Sequence, residues 1–137
     1  MAQPVPANDL TQIILHGNAV TLVNTAQRFG SELHRDDKLT KSQIRNVFGE
    51  VRRIEADWQP DDPEDAARNF RRLLLLKPRM AYQRSRESKT ESLMTLLTAA
   101  IDLVAAQEQV EQRYEGFRHF VEFFEAILAY HAAAGGK

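Results

Sequence analysis

Lys41, Arg45 and Arg52 recur at intervals that place them in one narrow sector of a helix turning about 100° per residue. A one-sided basic stripe suits a phosphate backbone, because phosphates repeat along a line. Arg45 has Lys41, Ser42, Phe48 and Gly49 three and four positions away, so no intrahelical acid neutralises it. Arg53 lies further round, on the open side, and Lys38 would fall near the same line if the helical path extended back to it. A second basic group, Lys77, Arg79, Arg84 and Arg86, is interleaved with Tyr82. Guanidinium forks bind phosphate oxygens in pairs, and an aromatic face offers a nucleobase a stacking platform. Tyr82 equally fits a core position with its hydroxyl at the surface.

The second group belongs to a basic island. Residues 68–89 hold eight bases and one acid, flanked by seven bases against eleven acids in residues 1–67 and three against seven in residues 90–137. A formal net charge of −1 therefore hides a strong local potential of the kind that attracts polyanions. The alternative is a solvated face balanced by its acidic flanks. Arg68, Arg71 and Arg72, opposite the apolar side of their helix, fit that alternative.

Other chemistry finds no footing. There is no cysteine, P-loop, G-x-G-x-x-G or G-x-S-x-G, and no acid, base and oxyanion donor assemble. His16, His34, His119 and His131 form no i, i+4 pair, so neither metal nor cofactor is implied; His119 and His131 read as hydrogen-bonded structural residues. Asp61, Asp62, Glu64 and Asp65 read as helix-start chemistry rather than a metal site.

The elements that must position these groups are helical almost throughout. A first helix is predicted with Asn8 or Asp9 as cap, Leu10, Ile13, Ile14 and Val20 on one side, and its end near Phe29–Gly30, with Gly17 weakening it inside. Thr40–Gln43 forms a capping box for a second helix carrying Ile44, Val47, Phe48, Val51, Ile54 and Trp58. Asp62 and Pro63 open a third, with Ala66, Ala67, Phe70, Leu73 and Leu74 inward and a kink or break expected near Lys77, before Pro78. Ser88–Glu91 reads as a second capping box, opening a fourth helix with Leu93, Leu96, Leu97, Ala100, Ile101 and Val104. A fifth runs from about Val110 to Ala133 and stops at Gly135-Gly136. The expectation is an all-α, single-domain bundle of about five helices, with a disordered tail over residues 1–8 and a flexible end over 134–137. Composition and the absence of a signal peptide or long apolar run suit a cytoplasmic protein.

The last helix is apolar on two lines. Phe117, Phe120, Val121, Phe124, Ile127 and Leu128 form one; Phe123, Ala126 and Tyr130 form the other, and Leu75 and Leu76 add to the surplus. Two lines mean either a docking surface, with Leu75, Leu76, Phe123 and Tyr130 as its contacts, or burial inside the monomer.

The stretches Leu39–Ala56, Leu74–Glu87 and Phe117–Lys137 carry an L-T-x-S-x-I-R start, a K-P-R-x-A-Y core and an F-F-E-A-I-x-A-Y-H ending. Together they resemble the small, all-helical subunit of type III-A CRISPR–Cas effector (Csm) complexes. The resemblance implies a non-catalytic subunit of antiviral defence that stacks with copies of itself inside a ribonucleoprotein, contacting crRNA and target RNA and other subunits of the effector. It maps the family's basic positions onto Lys41, Arg45, Arg52, Lys77, Arg79 and Arg86. Two other classes stay open: a protein–protein adaptor without nucleic acid, and a helical DNA-binding regulator. The regulator fits less well, since the polar side of the second helix offers few Asn or Gln side chains.

Overall fold

The computed structural model describes residues 1–137 as six α-helices and one short 3₁₀ turn. The helices are α1 (Ala7–Ile14), α2 (Ala19–Arg35), α3 (Lys41–Asp57), α4 (Pro63–Arg86), α5 (Glu91–Ala105) and α6 (Val110–Ala133), with the 3₁₀ turn Ser88–Thr90 before α5. No helix is long and apolar enough to cross a membrane.

The predicted first helix is two helices. Gly17 takes the left-handed φ of +61°, where a Cβ would also lie 2.7 Å from His119 Nε2, and this breaks the path. Asn18 then caps α2 by accepting the Thr21 N–H at 3.1 Å. Asn8 and Asp9, expected as caps, lie inside α1, whose N-cap is Pro6. Val20 is 71% exposed rather than inward, because the break rotates it off the line of Leu10 and Ile13. Nor does α2 stop at Gly30: there α2 crosses α6, and a Cβ on Gly30 would come 2.6 Å from the Ile127 carbonyl oxygen. The glycine serves close approach, not termination.

The capping box of α3 is present, with Gln43 Oε1 accepting the Thr40 N–H at 2.9 Å. Lys38 has φ 58°, so the helical path does not reach back to it and it leaves the Lys41–Arg45–Arg52 line. Asp62 Oδ1 caps α4 by accepting the N–H groups of Glu64 and Asp65 at 3.1 and 3.3 Å. The break expected near Lys77 does not occur, and α4 runs through Pro78. Burial of Leu73 and Leu76 before the proline and Met80 after it offsets the roughly 3 kcal/mol of an interior proline. The second capping box is not formed. Instead Thr90 is buried in the 3₁₀ turn and its hydroxyl donates to the Glu87 carbonyl at 2.7 Å.

Helix α6 is central, packed against α1, α2, α3 and α5. Both its apolar lines therefore enter one core of 30 buried hydrophobic residues. Phe123 and Leu76, read as docking contacts, are buried in that core, at 0% and 1% exposure. Tyr130 is half-buried beside Gly30, and only Leu75 of the four stands out, at 48%. At the ends, Ala2 is buried with its N–H on Asp37 Oδ1 at 2.9 Å, Gln3 N–H donates to Glu32 Oε1 at 2.7 Å, and the Lys137 carbonyl accepts the Lys41 N–H at 3.0 Å.

Gly30→Ala is expected to lower stability by about 1–3 kcal/mol despite alanine's better helix propensity, because the backbone of α6 must move. Urea unfolding checks this; an unchanged or raised midpoint would contradict the close crossing of α2 and α6.

Candidate nucleic-acid interface

The frame of the basic surface is a polar clip between α3 and α4. Arg72 donates to Glu50 Oε1 at 3.1 Å, Asp57 Oδ2 at 2.7 Å and Asn69 Oδ1 at 3.0 Å. Asn69, buried on the core line of α4, donates to the Asp65 carbonyl at 3.0 Å and to Asp65 Oδ2 at 3.1 Å. The Asp65 carboxylate also accepts the Gln59 N–H at 2.6 Å, fixing the turn between the two helices. Burial pushes the Glu50 carboxyl up, but hydrogen bonds from Arg53 and Arg72, and their charges, outweigh it and hold it below the ordinary glutamate range. Arg72 is therefore a half-buried structural residue, not part of a solvated face. Arg68 is exposed and pairs with Asp65 at 2.9 Å, while Arg71 is exposed with no carboxylate partner.

The eight candidate RNA contacts divide by partner. Arg52 pairs with Glu55 at 3.3 Å and Glu125 at 3.4 Å, Arg53 with Glu50 at 3.0 Å, and Lys77 with Asp102. Lys41, Arg45, Arg79, Arg84 and Arg86 have no carboxylate within ion-pair distance, although all five are exposed. An exposed ion pair contributes little to stability and is readily exchanged, so the three paired residues remain able to meet a ligand at a small penalty. The unpaired five carry the larger net field.

Their positions follow from two continuous helices. Lys41 and Arg45 line a groove between α3 and α6 with Phe48 and Leu128. Arg79 and Arg86, two turns apart on α4, line a groove against Asn46 and Val47 of α3. Between the grooves runs the outer ridge of α3, with Ser42, Gly49 and Ala56 recurring at heptad spacing. Lys77 and Arg84 turn the other way, toward α5, where Arg84 donates to Thr95 Oγ1 at 3.1 Å. The structure thus splits the Lys77–Arg86 segment over two edges of α4. It brings Arg79 and Arg86 to the same helix as Lys41 and Arg45, on the opposite flank. Asn69 goes unread in the sequence, and Arg72 is read there as part of a solvated face; the signal for Asn69 is a polar residue in register with Ala66 and Leu73.

Two histidines are structural. His119 Nδ1 pairs with the Ile14 carbonyl at 2.8 Å and His131 Nε2 with the Leu39 carbonyl at 2.6 Å. No group of three or more His, Asp or Glu side chains is gathered in a way that could hold a metal ion.

Among known proteins, the family model described as Csm2 Type III-A matches residues 16–137, extending the resemblance well N-terminal of Leu39. No curated protein and no solved structure matches the chain.

Replacing Arg72 by methionine keeps most of its length and removes the clip, so a loss of about 1–2 kcal/mol is expected at neutral pH. Glu50 has a depressed folded-state pKa, so its contribution is present above the unfolded glutamate value and is lost as pH falls through the folded one. The gap between wild type and Arg72→Met should therefore narrow below about pH 4. Denaturant unfolding from pH 3 to 7 measures it, and a gap independent of pH would contradict the Glu50 pairing.

Proposed function

The chain belongs to the Csm2 Type III-A family of structural subunits of type III-A CRISPR effector complexes, and on that premise we propose that it holds RNA there through α3 and α4. The observation that carries this reading is the set of unpaired, exposed cations, Lys41 and Arg45 on one flank of α3 and Arg79 and Arg86 on the other. An α-helix with its side chains is about 10–12 Å across, so charges on the two flanks can address one strand laid along the ridge or two strands straddling it. The ligand is the backbone of crRNA paired with target RNA, gripped without reading sequence, since guanidinium and ammonium groups contact phosphates. Arg52, Arg53, Lys77 and Arg84 extend the contact, the first three by exchanging a carboxylate for a phosphate.

Gly49 supports the same path. A Cβ there would meet nothing nearer than Arg53 Nη1 at 4.0 Å, so packing does not require glycine in the middle of this helix. A glycine that weakens a helix by roughly 0.5–1 kcal/mol without a steric reason is explained by an outside backbone approaching the ridge. Copies of the subunit stack beside one another and against other subunits, leaving Leu75 on α4 and Val20 and Val23 on α2 as apolar surface available for burial.

Two experiments test this. In the assembled complex and with the full chain alone, alanine at Lys41, Arg45, Arg79 and Arg86 together is expected to weaken RNA binding with helicity unchanged. The dependence of log affinity on log salt should flatten by about 0.7 per lost contact on single strands. Unchanged affinity and slope would overturn the reading. Tighter binding to one duplex DNA sequence would favour a regulator, and intact assembly without any RNA dependence an adaptor. Separately, Gly49→Ala should raise thermal stability while weakening RNA binding; a stability gain with RNA affinity untouched would remove the ridge from the path.

A further inference from the structure

Tyr82 is 64% exposed on α4, and none of the aromatic pairs in the core includes it. Its burial in the core, the alternative open from sequence, is therefore not realised. An aromatic ring left largely in water gives up the burial that normally stabilises it. The ring is also held in place. The Arg86 guanidinium lies over it at 5.8 Å from the centroid and donates to its hydroxyl at 3.4 Å. One turn earlier, Arg79 reaches the same groove and has no carboxylate partner. Arg79, Tyr82 and Arg86 stand at i, i+3 and i+7, so they share one face of the helix, with the arginines about 10 Å apart along it.

We infer that Tyr82 is a stacking platform for an unpaired RNA base, with Arg79 and Arg86 holding the phosphates on either side of it. The chemistry selects the ligand class. Every base has a π-face, so the contact is tolerant of sequence, but a base within a duplex is already stacked and its face is not available. Cationic side chains alone would grip paired and unpaired RNA alike; an exposed ring between them adds a preference for nucleotides that are not in a helix. This inference rests on the RNA reading above and extends it to nucleotides that lie outside the crRNA–target duplex, which Tyr82 would engage while the cations grip the paired backbone.

The test uses the full chain with a short single-stranded RNA carrying 2-aminopurine, whose fluorescence is quenched on stacking, and a fully paired RNA of the same length. Tyr82→Ala is expected to weaken single-strand binding about 5-fold or more and to abolish the quenching, since one stacked base contributes about 1–3 kcal/mol. Paired RNA should bind the variant within about 2-fold of wild type, and Tyr82→Trp should restore both quenching and affinity. Tyr82→Leu separates a ring from mere bulk and should behave like alanine. If Tyr82→Ala binds both RNAs as wild type does, while Arg79→Ala with Arg86→Ala weakens both, the stacking role is wrong and the electrostatic reading stands. If neither arginine nor tyrosine variants differ from wild type on any RNA at low salt, both readings fall.

Discussion

The Arg72 clip is the constraint on which the basic surface depends. Two long helices could cross at many angles, and non-directional burial of their apolar faces does not by itself fix their register. Arg72 does so by reaching from α4 to two carboxylates a full two turns apart on α3, Glu50 and Asp57, while Asn69 and Asp65 pin the intervening turn. Glu50 is partly shielded from water, so its pair with Arg72 counts for more than an exposed one and a slipped register would strand it. With α3 and α4 locked, Lys41 and Arg45 face outward on one flank of α3 and Arg79 and Arg86 on the other.

This division of labour explains why a raw charge count misleads. The basic island of residues 68–89 is one block in sequence but is divided in space: Arg68 pairs with Asp65 and Arg72 with Glu50 and Asp57, Lys77 and Arg84 face α5, Arg79 and Arg86 face α3, and Arg71 and Lys89 pair with no carboxylate. What a basic surface offers a polyanion depends on where unpaired charge is exposed, not on how much charge the chain carries.

Much of this is legible in the sequence. The Thr40–Gln43 and Asp62–Pro63 starts, and the extent of α6, follow from local chemistry within four residues, which sequence reports directly. Arg45 was readable as unpaired because its i±3 and i±4 neighbours are all non-acidic. What failed were judgements that local signals cannot carry. Pro78 looked like a break because the compensating burial of Leu73, Leu76 and Met80 is tertiary. Gly30 looked like a stop because nothing local shows the α6 backbone lying 2.6 Å from its absent Cβ. Phe123 looked like a docking residue because a helix buried on more than one side has the same pattern as one with two interfaces. The pairing of Arg72 with Glu50, twenty-two residues away, has no short-range signature at all.

The most direct measurement is ultraviolet cross-linking of the assembled effector with bound RNA, followed by mass spectrometry of the cross-linked peptides of this subunit. Nucleotide adducts are expected on residues 41–53 and 79–86, the two flanks of α3, and not on α2 or the N-terminal half of α6. Adducts concentrated on α2 or α6, with the α3 and α4 peptides unmodified, would contradict the proposed RNA path.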